Sequence, residues 1–310
     1  MNYNMRDSNP AYHKPVLLRE AMDGLKIRAD GIFVDCTFGG GGHSTEILAH
    51  LNADGRLFGF DQDADAKRNS LNDERFVFIP HNFRHLQRFL RLHGVNKVDG
   101  ILADLGVSSH QFDEASRGFS TRSEDASLDM RMDKRQTLTA ENILNTYGEQ
   151  KLQEIFSMYG EVTNAKTLAK AIVSLRNKLS FRTVSGFKQA IGDLVKGNPN
   201  RYFAQVFQAL RIEVNDEMGA LRELLEQSPA ILNPGSRIVI ISFHSLEDRM
   251  VKQFFRNGHF ESQEEQDPFA FSGSDSPFRT ITKKPIVPSE KELRLNPRAR
   301  SAKLRIAEKI

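Results

Sequence analysis

A run of four glycines between a predicted strand and a predicted helix constrains the fold of this chain more than any other feature. The segment Asp35-Cys-Thr-Phe-Gly-Gly-Gly-Gly-His-Ser44 follows the apolar run 31–35 and precedes a helical pattern. Because glycine has no Cβ, the backbone can turn sharply there and approach a ligand closely. Twenty residues after Gly41, a second apolar run ends in Asp61, and a carboxylate there can accept hydrogen bonds from both hydroxyls of a ribose. The pattern predicts an α/β unit that binds a nucleoside.

Apolar runs on both sides of this turn predict a mainly parallel sheet. In the first 110 residues such runs alternate with helical patterns, as in βαβ units. Strand character returns near the end of the chain, after a long region in which apolar residues recur at helical spacing. The predicted strands are 31–35, 56–61, 76–79, 99–104, 235–242 and 302–307. The chain therefore predicts a sheet that is interrupted by a helical insertion.

The interrupting region divides into a polar stretch and several helical patterns. Residues 112–136 are polar and charge-dense, which predicts a long ordered loop, and residues 261–290 predict a loose surface connection. The helical spacing occurs in four groups: Leu152, Ile155, Phe156 and Tyr159; Ala165, Leu168, Ala169 and Ile172; Phe187, Ile191, Leu194 and Val195; and Val214, Met218, Leu221 and Leu225.

The ligand of the glycine turn is ambiguous from the turn alone. Nicotinamide, flavin and S-adenosylmethionine proteins all combine such a turn with a distal acid. No Gly-Lys-Ser/Thr follows, so a P-loop is excluded, and the dinucleotide fingerprint is matched only approximately. Asp35 would repel a pyrophosphate, whereas it suits the ammonium and sulfonium of S-adenosylmethionine. The methyl donor is therefore favoured. A purely structural turn, with Asp61 as a cap, leaves four successive glycines unexplained.

Two further residues fit a nucleoside site. Phe83, just past the third strand, can stack on an adenine ring, although an isolated phenylalanine is more often a core residue. Asp104 ends the fourth strand, where cofactor and substrate should meet, although an acid there can also cap a helix. His43 has no second histidine at metal-ligand spacing, so no metal is expected.

Composition places the chain among soluble globular proteins. Its 310 residues are 39% hydrophobic and 27% charged, and the net charge of +3 requires that any nucleic acid be held by local basic patches. Cys36 is the only cysteine, which fits a reducing compartment. Residues 1–10 are polar, unlike a signal peptide, and the apolar runs are too short to span a membrane. A cytoplasmic protein is expected.

Eight motifs in order give the chain a close resemblance to the bacterial 16S rRNA (cytosine-N4)-methyltransferase family. They extend nearly from end to end, which makes chance similarity implausible. The motifs are His13-Lys-Pro-Val-Leu-Leu18, Asp35 to Ser44, Asp104-Leu-Gly-Val-Ser-Ser109 with Gln111, Arg117-Gly-Phe-Ser120, Leu128-Asp-Met-Arg-Met-Asp133, Phe207-Gln-Ala-Leu-Arg-Ile212 with Asn215-Asp-Glu217, Ile241-Ser-Phe-His-Ser-Leu-Glu-Asp-Arg249 and Asn296-Pro-Arg-Ala-Arg-Ser301.

The resemblance implies a fold, a site and a substrate. The fold is a Rossmann-like class I methyltransferase, with a seven-stranded sheet in residues 1–112 and 232–310 and an all-helical insertion in 113–231 that binds RNA. The implied substrate is a cytidine in the decoding region of 16S rRNA, and the small ribosomal subunit is the partner. The oligomeric state stays open, a homodimer being one option. S-adenosylmethionine contacts are implied at Gly41, Gly42, His43, Asp61, Phe83, Asp104 and Gln111.

Three departures from the family pattern concern the turn and the insertion. Cys36 replaces a usual glycine, and Val162-Thr-Asn replaces an acidic and basic pair. Ala204-Gln205 stands where a Thr-Arg pair is frequent, so one contact to an RNA phosphate is expected to be lost. These changes affect expected RNA contacts and not the reaction.

The predicted chemistry centres on Asp104. We expect its loop to lie at the junction of cofactor and amine, with Asp104 mainly orienting the cofactor. His244 and Asp248 are second-rank candidates for contacting the base, and a helix start capped by Ser242 or Ser245 is an equal alternative. Phe119 can stack on a base or pin its loop. The predicted RNA surface comprises Arg117, Arg122, Arg131, Lys134, Arg135, Arg294, Arg298, Arg300 and Lys303.

Two other functions share parts of this pattern. A Rossmann-type NAD-dependent oxidoreductase predicts a second domain of α/β character, whereas the insertion reads as purely helical. A non-enzymatic RNA-binding assembly factor of the ribosome does not need Asp61, Phe83 and Asp104 at successive strand ends.

Overall fold

The chain folds into two compact units. The structure, a computed structural model, describes residues 15–123, 125–260 and 276–310. The sheet unit consists of the chain up to Gly106 and from Ala220 onward, and the helical unit is Val107–Gly219. The sequence analysis placed the boundaries at 112/113 and 231/232. The later boundary differs because Leu221, Leu224 and Leu225 pack in a core of the sheet unit.

Seven strands form one sheet, as the family resemblance implied. Their order is β3-β2-β1-β4-β5-β7-β6, with β1 to β5 parallel and β7 antiparallel to both β5 and β6. The strands are β1 (Ile32–Asp35), β2 (Arg56–Phe60), β3 (Phe76–Ile79), β4 (Val98–Asp104), β5 (Leu232–Ser242), β6 (Phe278–Thr280) and β7 (Lys303–Lys309). The six strands predicted from apolar runs are confirmed.

The prediction of a loose connection at 261–290 missed one strand, whereas most of the described residues 276–289 are bends and irregular chain. β6 lies in this range, while residues 261–275 lie outside the described residues. β6 has three residues, and only Phe278 is buried, packed against Phe254 and Phe255. A strand with a single buried side chain has no alternation that a sequence pattern could reveal.

Twelve helices in the described part of the chain accompany the sheet and build the helical unit. None of these helices is both long and apolar enough to cross a membrane. The helices are α1 (Leu18–Leu25), α2 (Gly42–His50), α3 (Leu86–Leu92), α4 (Ser109–Asp113), α5 (Ala140–Thr146), α6 (Glu149–Met158), α7 (Ala165–Leu175), α8 (Val184–Ala190), α9 (Pro199–Asn215), α10 (Glu217–Ile231), α11 (Ser245–Asn257) and α12 (Glu290–Leu295).

Both faces of the parallel strands are buried, which explains their continuous apolar runs. Successive residues of β1 point to opposite faces, so Phe33 joins one core and Val34 the other. In β4 the same alternation sends Leu102 and Ile101 to different cores. Because β1 pairs in parallel with both β2 and β4, the carboxyl ends of these three strands meet at one edge of the sheet. The strand order reverses between β1 and β4, and ligands bind at such switch points in α/β folds.

The helical unit confirms one of the four predicted patterns without change, since α7 buries all four expected side chains. α6 buries three of its four, because Tyr159 follows the end of the helix and is half-buried. The third pattern is divided, because α8 ends at Ala190 and a 3₁₀ turn follows. The fourth, from Val214 to Leu225, is wrong as one helix. Asp216 takes a left-handed conformation with φ 46° and separates α9 from α10, while the apolar spacing continues across the break.

The long polar loop is held in place from within the helical unit. Arg117 is only 3% exposed, and its guanidinium donates to the carbonyls of Arg131 and Met132. Asn215 is equally buried; its amide oxygen accepts from the N–H of Met132, and its amide nitrogen donates to the carbonyl of Met130. The prediction that Arg117 faces RNA is therefore wrong, because a buried guanidinium that satisfies loop carbonyls cannot reach a phosphate.

Replacing Asn215 with alanine should destabilise the helical unit. The change leaves buried backbone groups of the loop without partners, and each such group costs about 1–3 kcal/mol. We expect the free energy of unfolding, measured by urea denaturation, to fall by about 2–4 kcal/mol. The exposed Asn177→Ala variant is the control and should stay within about 0.5 kcal/mol of wild type. Equal stabilities of the two variants would contradict this role of Asn215.

Candidate functional site

The glycine turn follows β1 and starts α2, as predicted. Gly41 is the residue before α2 and has φ 78°, a left-handed conformation that favours glycine. A Cβ at this position would also stand 3.0 Å from the ring of Phe38. The carbonyl of Gly41 accepts from the hydroxyl of Thr45 at 2.8 Å, which fixes the first turn of the helix. The turn therefore requires glycine at 41, and it presents the amino end of α2 to the site.

Asp35 holds this turn together. Its carboxylate is buried, with one oxygen accepting from the N–H of Thr37 at 3.0 Å and the other from the hydroxyl of Ser44 at 2.7 Å. Both oxygens are thus occupied by the turn itself. Asp35 was expected to suit a cationic ligand. Because its oxygens accept from the turn, Asp35 acts on such a ligand through the field of its negative charge and through the shape of the turn. Thr37 and Ser44 were not predicted as site residues, since nothing in the sequence distinguishes their hydroxyls from others.

Asp61 follows β2 directly and faces the turn. One carboxylate oxygen accepts from the N–H of Gly39 at 2.7 Å, and the other accepts from the N–H of Asp63 at 2.8 Å. Burial raises the pKa of Asp61 to about 7, although both backbone hydrogen bonds act in the opposite direction. An ionised carboxylate has about four lone-pair sites. Each oxygen of Asp61 therefore keeps acceptor capacity for one hydroxyl of a ribose.

Asp104 ends β4, and the imidazole of His43 lies beside it. Oδ2 of Asp104 is 3.7 Å from Nδ1 of His43. Nε2 of His43 lies 3.0 Å from the carbonyl oxygen of Val16, and because that oxygen can only accept, Nε2 carries a proton. Oδ1 of Asp104 is buried and has no hydrogen-bond partner within residues 15–123, 125–260 and 276–310. An acceptor left open in a site is suited to a donor from a ligand.

The environment of Asp104 disfavours its negative charge. Burial is the main cause and raises its pKa to about 7. His43 lowers the pKa, and the charges of Asp35 and Glu247 raise it further. Asp104 therefore lies in the repulsive field of two other carboxylates, those of Asp35 and Glu247. A cation bound there would relieve that repulsion.

Phe83 and Gln111 lie in different units of the protein. Phe83 is half-buried and lies in the loop after β3, which Asn82 joins to the loop after β2 through Gln62 at 2.8 Å. Gln111 lies in the helical unit, where it forms a reciprocal cap of α4 with Ser108. Contacts of both residues with a cofactor stay predictions.

His244 and Asp248 have structural partners. His244 caps α11, because its Nδ1 accepts from the N–H of Glu247 at 3.4 Å, so the expected cap at Ser242 or Ser245 is wrong. Asp248 pairs with Arg305 at 2.6 Å and with Lys303 at 3.4 Å. Contact of His244 with the base stays a prediction, while the ion pair of Asp248 explains its presence without one.

Some residues of the predicted RNA surface have structural partners, and others are exposed. Phe119 is buried and pins the loop, with the guanidinium of Arg117 5.9 Å from its ring. Arg131 and Arg135 pair with Asp129 and Asp133 at 2.8 Å each. The members that are exposed are Arg122, Lys134, Arg135, Arg294, Arg298 and Arg300.

Fold and site together define an α/β protein of the class I methyltransferase type. Its marks are the switch point between β1 and β4, the glycine turn before α2 and the acid that follows β2.

Comparison with known proteins gives the family. A family model described as the MraW methylase family matches residues 10–310. A protein of Bacteroides thetaiotaomicron named ribosomal RNA small subunit methyltransferase H is 54% identical over 306 residues, which cover 98% of this chain and 100% of that protein. Its namesake in Flavobacterium johnsoniae is 56% identical over 301 residues, 96% of this chain and 98% of the relative. The chain belongs to the MraW methylase family.

The raised pKa of Asp104 predicts a variant that is more stable than wild type. Between about pH 4, where a free aspartate titrates, and pH 7, the folded state binds more protons at Asp104 than the unfolded state does. Stability contributed by this group is therefore present at low pH and lost as the pH rises through 7. The Asp104→Asn variant should unfold at higher urea concentration than wild type at pH 8, by on the order of 1 kcal/mol or more.

The comparison at low pH provides the check. The advantage of Asp104→Asn should shrink at pH 5, where wild-type Asp104 is mostly protonated. Asp54→Asn, at an exposed position, is the control, and its stability relative to wild type should stay the same at both pH values. A difference between Asp104→Asn and wild type that does not depend on pH would contradict this assignment.

Proposed function

We propose that this protein transfers the methyl group of S-adenosylmethionine to the N4 amine of a cytidine in 16S rRNA of the small ribosomal subunit. Family membership and the names of the relatives support the methylase activity and the RNA class. The observation that carries the proposal is the cluster of Asp35, Asp61 and Asp104 at neighbouring strand ends around a glycine turn. This environment favours a positively charged nucleoside over a pyrophosphate.

The residues around the turn fit the parts of this cofactor. Asp61 would accept from the ribose hydroxyls, and Phe83 would cover the adenine. The amino end of α2, after Gly41 and Gly42, would receive the carboxylate of the amino-acid tail, because helix amino ends carry a partial positive charge. The open Oδ1 of Asp104 would accept from a donor of the ligand. The expectation that no metal takes part stays a prediction.

The chemistry demands orientation more than basicity. S-adenosylmethionine, when bound, supplies a methyl group on a positively charged sulfur. The lone pair of cytosine N4 is delocalised into the ring, so the amine must be held in line with the methyl–sulfur bond. Asp104 would fix that geometry at the end of β4. A methylated cytosinium amine is strongly acidic and loses its proton readily, so a strong general base is unnecessary.

The two other functions considered from the sequence lose their support. Membership of a methylase family argues against a nicotinamide oxidoreductase and against an assembly factor without catalysis. The second unit also contains only helices and turns among its described residues, apart from one isolated bridge between Ser127 and Thr183.

Mass mapping of 16S rRNA tests the proposed reaction. RNA from cells that lack the gene should miss one methyl group on one cytidine, and the wild-type gene should restore it. Asp104→Ala should not restore it, because the site loses the group that orients the reactants. An unchanged methylation map in the deletion strain would refute the proposal, and full restoration by Asp104→Ala would remove Asp104 from the site.

We further propose that the helical unit binds RNA, in part through the outward face of α7. This face is defined here as Lys166, Thr167, Lys170 and Ser174 of the helix with Asn177 and Lys178 of the turn that follows it, which are all exposed. Residues 162–192 contain six lysines and arginines and no aspartate or glutamate. No ion pair of Lys166, Lys170 or Lys178 occurs within the described part of the chain. Cationic, hydroxyl and amide side chains are those that contact nucleic-acid backbones.

The departure at Ala204-Gln205 gains a structural explanation. The side-chain amide of Gln205 donates to the carbonyl of Glu161 at 3.2 Å, and Glu161 has a strained φ of 50°. Gln205 therefore supports the turn before α7. An arginine missing at this position removes a candidate phosphate contact, and the outward face of α7 begins five residues after Glu161, which Gln205 contacts.

Removing two charges from this face should weaken RNA binding and leave the chemistry intact. We expect Lys166→Gln/Lys170→Gln to raise KM for the RNA substrate, with kcat changed less than about twofold. The slope of log KM against log salt should fall by about 1.5, since each lost phosphate contact accounts for about 0.7–0.9. Lys26→Gln/Arg56→Gln is the control, because both residues are exposed at the amino edge of the sheet, away from the carboxyl ends. Equal effects in both variants would contradict a role of the α7 face.

A further inference from the structure

We propose that Thr37 is a positioning residue for methyl transfer, because its hydroxyl holds Asp104 at the end of β4. This inference rests on the function proposed above. Oγ1 of Thr37 accepts from the backbone N–H of Asp104 at 2.6 Å. Its proton points to Oδ1 of Asp35 at 3.5 Å, since an ionised carboxylate can only accept. One hydroxyl thus connects the ends of two neighbouring strands.

The contact replaces a backbone hydrogen bond that is missing between β1 and β4. β1 and β4 are paired up to Asp35 and Leu102, and the N–H of Cys36 still donates to the carbonyl of Leu102 at 2.8 Å. In a continued parallel ladder, a backbone carbonyl of β1 would accept from the N–H of Asp104. The chain has already turned away toward the glycines at this point. The side chain of Thr37 therefore supplies the acceptor that the backbone no longer offers.

Thr37 is itself fixed by the turn. Its own N–H donates to Asp35 at 3.0 Å, and the next residue, Phe38, donates to the carbonyl of Phe60 in β2 at 2.8 Å. The position of Thr37 is thus determined by the same residues that shape the glycine turn. A change at the turn would be transmitted to Asp104 through a single short hydrogen bond.

On its other side, the end of β4 is held by β5. On the side of β1, the loop after Asp104 depends on the contact with Thr37. β4 pairs with β5 up to Asp104 and Ile241, and the N–H of Leu105 donates to the carbonyl of Ile241 at 2.9 Å. Gly106 follows with φ 94°, which is left-handed. On the side of β1, only the hydroxyl of Thr37 holds the N–H of Asp104 within the described residues. Loss of this contact would release one side of the strand end where the amine must be aligned.

A pair of near-isosteric variants isolates the hydroxyl. Thr37→Val keeps the branched shape and removes both hydrogen bonds, whereas Thr37→Ser keeps the hydroxyl. We expect Thr37→Val to lower kcat by about 10- to 100-fold, because small misplacements of reacting groups have effects of this size. The Kd of S-adenosylhomocysteine, measured by calorimetry, should change less than about threefold. Thr37→Ser should retain kcat within about threefold of wild type.

Hydrogen exchange at the amide of Asp104 gives a readout that does not depend on activity. The amide should be protected in wild type and Thr37→Ser and exchange at least about tenfold faster in Thr37→Val. A wild-type kcat in Thr37→Val would overturn the inference, as would a loss of cofactor affinity as large as the loss of kcat. A protected amide in a wild-type protein that methylates no RNA would instead refute the proposed function.

Discussion

Three carboxylates around one backbone turn determine what this site can bind. Asp35, Asp61 and Asp104 lie at the ends of β1, β2 and β4, which are adjacent in the sheet. Burial is the main cause that raises the pKa of Asp61 and of Asp104 to about 7, and the charge of Asp35 raises both. Within the described residues, His43 is the only side chain that lowers the pKa of Asp104. A cationic nucleoside would relieve this repulsion, whereas a pyrophosphate would increase it.

The three acids have different roles in this arrangement. Asp35 already accepts from the N–H and the hydroxyl of Thr37 and from the hydroxyl of Ser44, so it shapes the turn and orients these two residues. The oxygens of Asp61 keep lone pairs that can accept from hydroxyl groups. Oδ1 of Asp104 accepts no hydrogen bond within the described residues. Folding thus maintains a site that is unfavourable for the protein alone, and the free energy of ligand binding compensates for it.

Much of this could be predicted from the sequence because it is local. A parallel strand buried on both faces requires a continuous apolar run, and a left-handed turn requires glycine, so β1, Gly41 and α2 were visible as a pattern. The acids after β2 and β4 were predicted because strand ends on one edge share a site. Distances such as that from Asp104 to His43 depend on tertiary packing and have no sequence signal.

The errors come from residues whose chemistry permits two environments. Arg117 was predicted to face RNA and Asp248 was a candidate for contacting the base, yet tertiary packing gives them carbonyl and guanidinium partners. Asp216 interrupts an apolar spacing that continues on both sides, because left-handed geometry at one residue leaves the pattern unchanged. Membership of the methylase family supports the proposed function. The roles of individual side chains toward ligands follow only from their contacts.

The preference of the turn for a cationic nucleoside is the central claim. Titration calorimetry of the purified protein with S-adenosylmethionine, S-adenosylhomocysteine and NADH measures it directly. The account predicts measurable binding of the two sulfur nucleosides and none of NADH, because a pyrophosphate would meet Asp35 and Asp61. Binding of NADH, or no affinity for either sulfur nucleoside, would contradict it.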